Sequence, residues 1–407
     1  MDPATAAMLV SEDGRLAVEL AGAEQDPGSF AAGTRMRQRF PSELAAAALT
    51  QVTLRRSGRT KFGADAAGWW FTVEGLQQAS RPAVAASRAQ RLVDTGVRRV
   101  VDLACGIGAD AHAYLLAGLE VVAVESDPAT AVLARANLER SARPGGPGVD
   151  VRTGTAEDLA PGLLTDPAAA AFCDPARRDE RGRVWRVEQF SPGWAFVLGL
   201  LDGCRVGCVK LGPALPHALI PDGVEAEWVS HAGDVVECTL WAGRSAVPGA
   251  RVATLLSSAL LPSGQQPTGA RLSRVGPAPV VGTGPIGAYL HEPDGAAIRA
   301  GLVGAVAELT GTTLVDPQIA YLTSDAAADS PWLTSFEVVA VLPYTEKVLR
   351  RWLTDHEIGR LEIKKRGVDV DPAALRKRLK PAGPNELTML LTRTPDGARA
   401  VMAHRVS

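Results

Sequence analysis

The chain of 407 residues is poor in cysteine and in aromatic residues, and it carries almost no net charge. Its five cysteines are an odd number scattered through apolar stretches, which fits a reducing compartment rather than a disulfide framework. A formal charge of −2 argues against general electrostatic adhesion to nucleic acids or membranes. With 46% hydrophobic and 22% charged residues the composition is that of a globular protein, and the length predicts two or three domains.

Long apolar runs and metal-binding clusters are also absent from the sequence. No run is long enough to cross a membrane, and residues 1–13 carry acids without the basic stretch of a secretory signal. Cys204 and Cys208 have a metal-like spacing, but no histidine or third cysteine lies near them in the sequence. We therefore expect a cytoplasmic protein with no metal site and no membrane contact.

The most informative segment is V-V-D-L-A-C-G-I-G-A-D, residues 100–110. Two β-branched residues end a predicted strand, Asp102 follows, and Gly106 and Gly108 open a turn into a predicted helix. Glycines at such a turn let backbone N–H groups approach a ligand at the helix N-terminus. The spacing Gly106-x-Gly108-x-x-Ala111 also fits a dinucleotide-binding pattern, so two classes of ligand have to be compared.

The acid at the strand end distinguishes these ligands. A carboxylate at Asp102 repels a pyrophosphate but accepts a hydrogen bond from the amino group of a methionine moiety, which favours S-adenosylmethionine. The segment D-L-x-x-G-x-G, with Ala104 at its small position, resembles motif I of class I methyltransferases. The next predicted strand ends at Glu125, seventeen residues after Gly108, near the spacing of an acid that binds ribose hydroxyls. We place Ser126, beside Glu125, among the cofactor contacts.

A third predicted strand, 149–152, leads to two neighbouring acids, Glu157 and Asp158. Both stand where methyltransferases contact the adenine, and the sequence does not separate them. Residues 155–158 also have the spacing of a capping box, so a capped helix start is an alternative explanation. Both explanations can hold together, and we expect one of the two acids to contact the cofactor.

The fourth predicted strand ends in the motif D-P-A-R-R, which begins at Asp174. Methyltransferases that act on base nitrogens carry Asp or Asn, two prolines and an aromatic residue here, and their oxygens orient the target amine. We expect Asp174, Pro175 and Arg177 at the catalytic site, with Asp174 also near the cofactor and Arg177 stacking or holding a phosphate. The missing ring is then supplied by Trp185 or Trp194. An Asp-capped turn is the alternative.

The segment after the fifth predicted strand separates the two ligand classes most clearly. Residues 225–231 and 234–241 read as two strands joined by a short glycine-containing turn, which predicts an antiparallel hairpin. A hairpin is the ending of a methyltransferase sheet, whereas dinucleotide-binding domains continue with parallel strand–helix units.

The region before this domain, 36–92, reads as helices. Within it, 55–61 is expected to be a basic loop broken by glycine, and Trp69 and Trp70 follow. We expect the tryptophans to pack the helices onto the next domain. The basic loop either grips nucleic acid or is solvated, and the sequence leaves both open.

The C-terminal part reads as an α+β module whose strand 360–367 ends in a basic tip, Lys364, Lys365 and Arg366. Lys and Arg outnumber Asp and Glu about two to one between residues 347 and 380, although the chain as a whole is slightly acidic. Such a local excess predicts a phosphate-binding patch, with the three tip side chains free to meet phosphates. A solvated helix face is the alternative.

The whole arrangement, with D-P-A-R-R at 174–178 and I-K-K-R-G at 363–367, resembles a bacterial family of class I S-adenosylmethionine-dependent methyltransferases with a C-terminal THUMP-like domain. Its catalytic half is distantly similar to trimethylguanosine-synthase-type enzymes. The resemblance implies an α/β protein with a Rossmann-like methyltransferase domain, an N-terminal helical region and a C-terminal α+β domain. The expected segments are helices at 1–92, the methyltransferase domain at 93–256, a Gly/Pro-rich connector at 257–286 and a ferredoxin-like, THUMP-like domain at 287–407.

By analogy the resemblance also implies an RNA substrate. We therefore expect an enzyme that transfers a methyl group from S-adenosylmethionine to a base nitrogen of RNA. The alternatives are a small-molecule or protein methyltransferase and a noncatalytic RNA-binding protein that retains the fold.

Overall fold

The computed structural model describes residues 1–142, 145–177, 187–257 and 268–406, with the backbone alone at Arg177. Arg178 and Trp185 therefore lie outside the described residues. The chain forms two compact units, which are listed here with their segments: Met1–Ala232, Val236–Ala250 and Leu256–Gly269 in the first, and Gly233–Val235, Arg251–Leu255 and Ala270–Ser407 in the second. The finer division into four segments stays a prediction.

The first unit begins with six helices, several of which start at a side-chain cap such as Ser11, Ser29 or Thr72. The helices are α1 (Pro3–Val10), α2 (Glu12–Gly22), α3 (Phe30–Arg37), α4 (Ser42–Phe62), α5 (Val73–Gln78) and α6 (Pro82–Asp94). The expected basic loop at 55–61 is wrong, because α4 continues through it to Phe62. Gly58 does not break the helix. It is buried, and a Cβ there would lie 3.2 Å from the Phe71 ring, so the glycine allows close packing at this point.

Three of the basic side chains in this part of α4 have partners inside the first unit. Arg55 donates to the Trp69 carbonyl oxygen at 2.9 Å. Arg56 donates to carbonyl oxygens just after α2, including that of Gln25 at 3.0 Å, and Lys61 donates to three carbonyl oxygens at the end of α5. Cations at helix C-termini satisfy exposed carbonyl groups, so this basic run has a structural role.

A nine-stranded sheet follows, in the order β11-β10-β8-β9-β7-β4-β1-β2-β3. Its strands are β1 (Arg99–Asp102), β2 (Glu120–Glu125), β3 (Val149–Thr153), β4 (Ala169–Cys173), β7 (Val206–Leu211), β8 (Glu225–His231), β9 (Asp234–Gly243), β10 (Ala250–Leu256) and β11 (Gly269–Val275), and β5 (Ala176–Arg177) pairs separately with β6 (Phe190–Ser191). The helices along it are α7 (Ala109–Leu116), α8 (Pro128–Ser141), α9 (Ala156–Leu163) and α10 (Trp194–Gly203).

Strand direction confirms the expected ending of this sheet. Strands β3, β2, β1, β4 and β7 are parallel, whereas β9 pairs antiparallel to β7. Between β8 and β9 the two-residue turn Ala232-Gly233 has φ values of 55° and 82°, the positive angles typical of a tight hairpin. Every residue of β4, a central strand of the parallel part, is buried, as expected where helices cover both faces.

The tryptophans pack as the sequence predicted. Trp69 is 1% exposed and lies in a cluster with Phe62, Phe71 and Ile107, the residue between the two motif glycines. Asn137 of α8 binds this region through its amide: it accepts from the Trp70 N–H at 2.8 Å and donates to the Ile107 carbonyl oxygen at 2.9 Å. The helical region and the glycine loop therefore share one core.

The second unit holds a seven-stranded sheet in the order β13-β14-β12-β15-β18-β17-β16, with an apolar core on each face. Its elements are β12 (Tyr289–Pro293), α11 (Gly295–Arg299), α12 (Val303–Thr310), β13 (Thr313–Asp316), β14 (Ile319–Ser324), β15 (Leu333–Pro343), α13 (Glu346–Asp355), β16 (Ile358–Arg366), α14 (Pro372–Leu379), β17 (Asn385–Thr394) and β18 (Gly397–Arg405).

We predict that Asn137→Ala lowers the free energy of unfolding by about 2 kcal/mol or more, because it leaves buried backbone groups of Trp70 and Ile107 without partners. Denaturant unfolding followed by tryptophan fluorescence measures the change. Asn385→Ala is the matched control, since Asn385 is exposed and its loss should cost less than about 0.5 kcal/mol. Equal costs at the two positions would contradict the structural role given to Asn137.

Candidate active site

The two motif glycines have different surroundings. Both have positive φ, 54° at Gly106 and 86° at Gly108, which caps the N-terminus of α7. A Cβ at Gly106 would meet no atom within 4 Å, whereas a Cβ at Gly108 would lie 3.1 Å from Leu138. Gly106 thus borders open space beside the loop, and Gly108 allows α7 to pack against α8.

Glu125, at the end of β2, holds this loop in place. Its carboxylate accepts from the Gly106 N–H at 2.9 Å and from the Asp127 N–H at 2.8 Å. Partial burial raises the pKa of Glu125, and these two backbone donors oppose the rise. The carboxylate keeps unused lone pairs, so it can also accept from a ligand hydroxyl. Ser126 next to it is exposed.

Asp102 is enclosed, unlike Glu125. Its side chain is fully buried, Oδ1 lies 3.4 Å from the Ala104 N–H, and Oδ2 has no hydrogen-bond partner among the described residues. Burial raises the pKa of Asp102 well above its usual value, and the charge of Asp110 adds to the rise. An unpartnered buried oxygen is costly, and an ammonium group is the partner that best lowers this cost. Together with the open space beside Gly106, this buried acceptor fits the ammonium group of S-adenosylmethionine.

The two acids that the sequence left unresolved make different contacts. Asp158 accepts from the Thr155 hydroxyl at 2.7 Å and belongs to the capped start of α9, where the Thr155 oxygen accepts from the Asp158 N–H. Glu157 is exposed, and its carboxylate accepts from the Gly193 N–H at 3.2 Å. The capped helix start is therefore confirmed. Glu157 is the acid whose carboxylate contacts the loop that leads into α10.

Asp174 follows β4 directly, and its carboxylate forms an ion pair with Lys210 at the end of β7. The Asp174 side chain is 29% exposed, whereas that of Lys210 is 12% exposed. Pro175 is buried, and the Arg177 backbone pairs with Phe190 in the strand pair β5–β6. The Phe190 ring packs against the Trp194 ring in a tilted arrangement, with 5.8 Å between ring centroids. Trp194 is thus the described tryptophan that stands near the end of the motif.

A cluster of buried charges lies behind Asp174. Arg88 of α6, 3% exposed, forms ion pairs with Asp110 at the start of α7 and with Glu237 of β9. Lys210 lies 3.8 Å from Asp110 Oδ2 and donates to the Ser80 hydroxyl at 3.0 Å. Burial lowers the pKa of Lys210, but the carboxylates of Asp174 and Asp110 outweigh burial and raise it.

Sequence patterns alone do not identify Arg88, Asp110 and Lys210 as site residues. A lysine that ends an apolar strand is a signal that could have found Lys210. Arg88 offers no such signal, because its two partners lie 22 and 149 residues away. Long-range pairing of this kind is a property of the fold.

The basic tip in the second unit is only partly free. Lys364 and Arg366 both donate to Glu292 of β12, at 2.7 and 3.0 Å, and are about one-quarter exposed. The expectation of three free side chains is therefore wrong for these two, because alternate residues of β16 point to the face that carries Glu292. Lys365 is exposed and forms no ion pair among the described residues.

Searches against known proteins match two parts of the chain and its whole length. A family described as THUMP domain-like matches residues 333–405, and a domain of unknown function matches residues 2–58. An uncharacterized S-adenosylmethionine-dependent methyltransferase of Mycobacterium tuberculosis, found in two strains, is 34% identical over 373 residues, or 89% of this chain and 96% of the relative.

The crystal structure of a protein described as a methyltransferase, from Porphyromonas gingivalis, is similar over 100% of this chain and 99% of that chain, with a TM-score of 0.75 at 24% identity. This likeness concerns the fold. Together with the sheet topology and the THUMP domain-like match, it confirms the predicted α/β class with N-terminal helices and a C-terminal THUMP-like domain.

The described parts of the chain contain neither a membrane-spanning helix nor a metal-binding cluster. No helix there combines the length and hydropathy that a membrane span requires. No group of three or more His, Cys, Asp or Glu side chains in those parts is arranged to hold a metal ion.

We predict that Gly106→Val weakens S-adenosylmethionine binding at least tenfold, because the new side chain occupies the space beside the loop. Isothermal titration calorimetry measures the affinity. Gly96→Val is the matched control: Gly96 also has positive φ and open surroundings, so both variants should lose about 1–2 kcal/mol of stability to backbone strain. Unchanged affinity in Gly106→Val would contradict the cofactor site.

Proposed function

The chain belongs to the family of S-adenosylmethionine-dependent methyltransferases that includes its mycobacterial relative, and from this premise we propose that it methylates a base nitrogen of RNA. Membership confirms the resemblance drawn from the sequence motifs, with S-adenosylmethionine as the cofactor. The proposal rests chiefly on the carboxylate of Asp174, which lies at the carboxyl edge of the sheet beside the glycine loop and is partly exposed. Carboxylate oxygens there suit the N–H groups of an amine.

The chemistry requires orientation more than acid–base catalysis. S-adenosylmethionine, when bound, supplies a methyl group whose bond to sulfur breaks, with its electrons going to sulfur, as a nitrogen lone pair forms the new N–C bond. Asp174 accepts a hydrogen bond from an N–H of the methyl-accepting amine, and this bond orients the nitrogen lone pair toward the methyl group. The backbone carbonyl of Pro175 is the second acceptor, and Arg177 or Trp194 contacts the base. The proton released from nitrogen passes to Asp174 or to water.

The acids around the loop are proposed to bind the cofactor. Glu125 and Ser126 form hydrogen bonds with the ribose hydroxyls. The carboxylate of Asp102, beneath the loop, compensates the positive charge of the amino group. Glu157 is favoured over Asp158 for the adenine, because the Asp158 carboxylate belongs to the cap of α9 through Thr155, whereas the Glu157 carboxylate reaches the loop before α10. Ala104, Gly106 and Gly108 supply the close backbone approach.

RNA is proposed as the substrate because of the C-terminal unit. The THUMP domain-like match covers residues 333–405, which include the basic segment. Exposed cations lie on neighbouring helices and at the strand tip, and they suit phosphates because their charge is locally in excess. These cations are Lys347, Arg350 and Arg351 of α13, Arg376, Lys377 and Arg378 of α14, Lys380 and Lys365. In the proposed interface Lys365 binds RNA directly, whereas Lys364 and Arg366 hold the strand tip through their ion pairs with Glu292.

We predict that Asp174→Ala lowers methyl transfer to RNA by about a hundredfold or more, because the acceptor nitrogen loses its alignment. Transfer of label from S-adenosylmethionine to bulk bacterial RNA measures the rate. Cofactor affinity should be nearly unchanged, since the role of Asp174 is on the acceptor side. The control is Asp202→Ala, on the exposed face of α10, which should retain the full rate. Wild-type transfer by Asp174→Ala would refute the role of Asp174.

We also predict that Lys365→Ala weakens RNA binding and reduces the slope of log affinity against log salt by about 0.7–0.9, the loss of one phosphate contact. Lys364→Ala, one residue earlier on the same strand, is the matched control. It should leave the salt slope nearly unchanged and instead lower stability, because Glu292 loses one of its two partners. Filter binding over a salt series and denaturant unfolding give the two readouts. A larger slope change in Lys364→Ala than in Lys365→Ala would contradict this division.

A further inference from the structure

We infer that Lys210 is a positioning residue for methyl transfer, which holds the Asp174 carboxylate ionised and turned outward for the acceptor amine. This inference rests on the role proposed for Asp174, and it adds a residue that the sequence motifs do not include. It concerns the fifth parallel strand of the first unit, where Lys210 is the next-to-last residue.

Strand register places the two residues side by side. Strands β4 and β7 are parallel neighbours, with Cys173 of β4 opposite Val209 of β7. Asp174, the first residue after β4, therefore lies beside Lys210 of β7, and the Lys210 ammonium binds Asp174 Oδ2. No other ion pair reaches Asp174 among the described residues, and no hydrogen bond there uses its Oδ1. One carboxylate oxygen is thus fixed, and the other remains for an acceptor.

The ammonium lies behind the carboxylate as seen from solvent. The Lys210 side chain is 12% exposed against 29% for Asp174, so the carboxylate is the more accessible partner. Lys210 is itself fixed from the inner side by the Ser80 hydroxyl at 3.0 Å and by Asp110 at 3.8 Å. An ammonium group whose three N–H donors have fixed partners has little conformational freedom. The position of the Lys210 ammonium therefore sets the orientation of the Asp174 carboxylate.

The surrounding charges make Lys210 necessary for an ionised Asp174. Burial raises the pKa of Asp174, and the negative charge of Asp110 adds to the rise. Lys210 opposes both effects, and Arg88 opposes them more weakly. Arg88 is held by ion pairs to Asp110 and Glu237, so it cannot move to Asp174 if Lys210 is lost. Two acids, Asp102 on β1 and Glu157 on α9, add negative charge near this edge. The cation Lys61 of α4 lies close enough to be repelled by Lys210, but it is held by three carbonyl oxygens at the end of α5.

A purely structural role for Lys210 predicts something different. In that case the lysine would serve mainly to neutralise Asp110. Asp110, however, already has an ion pair with Arg88 and accepts from Ser80 at 2.9 Å, whereas Lys210 is the only ion-pair partner of Asp174 in the described parts of the chain. The loss of Lys210 therefore affects Asp174 more than Asp110.

The test is a carbon-13 NMR titration of the Asp174 carboxyl carbon in the full chain, assigned by the signal missing from Asp174→Ala. We expect the titration midpoint to rise by about one pH unit or more in Lys210→Met and in Lys210→Gln, because the compensating charge is gone. Lys210→Arg should keep the midpoint near that of the wild type. In the methyl-transfer assay the acidic limb of the pH–rate profile should move to higher pH in the Met and Gln variants, since the ionised form is the active one, while cofactor affinity stays the same.

The control is Arg99→Met, which removes a cation from the opposite end of β1, where Arg99 pairs with Glu120 at 3.0 Å. It should leave the Asp174 midpoint in place. An unchanged midpoint in folded Lys210→Met or Lys210→Gln would overturn the inference. The titration needs no substrate, so a moved midpoint together with no methyl transfer to RNA would contradict the proposed substrate and retain the role of Lys210.

Discussion

In the first unit, buried carboxylates are balanced by buried cations, and the site is built around these ion pairs. Parallel strands bring Asp102 and Asp174 to one edge of the sheet, and Asp110 begins the helix beside them. Three carboxylates so close together cannot all stay ionised in a poorly solvated place without cations. Arg88 and Lys210 supply that charge. The helical region and the hairpin are therefore parts of the site, because α6 carries Arg88 and β9 carries its second partner.

The same arrangement explains how the fold serves methyl transfer. The donor is a cation and the proposed acceptor is an amine, and both favour an edge of the sheet rich in carboxylate oxygens. The carboxylates differ in access: Asp102 is enclosed, Glu125 is bound to the loop backbone, and Asp174 is partly open. Graded access of this kind lets one edge hold a cofactor and orient an acceptor without a strong general base.

Local patterns predicted a large part of this structure, and long-range pairing accounts for what they missed. The glycine loop, the hairpin and the capped start of α9 each depend on a few neighbouring residues, so the sequence contains their signals. By contrast, the sequence suggests that Arg56 could contact nucleic acid, whereas in the structure it donates to carbonyl oxygens just after α2. The sequence likewise suggests that Lys364 is a free cation, whereas in the structure it pairs with Glu292, 72 residues earlier. A charged residue in sequence does not show whether its partner lies within the protein.

We propose that the carboxylate edge of the sheet binds an amine of RNA for methylation. To test this proposal, the protein is incubated with labelled S-adenosylmethionine and separate bacterial pools of RNA, protein and small metabolites, and the nucleosides of the RNA are then separated. We expect label in the RNA pool, carried on a base nitrogen of one nucleoside. Label confined to the protein or metabolite pool, or no label in any pool from a protein that binds the cofactor, would contradict it.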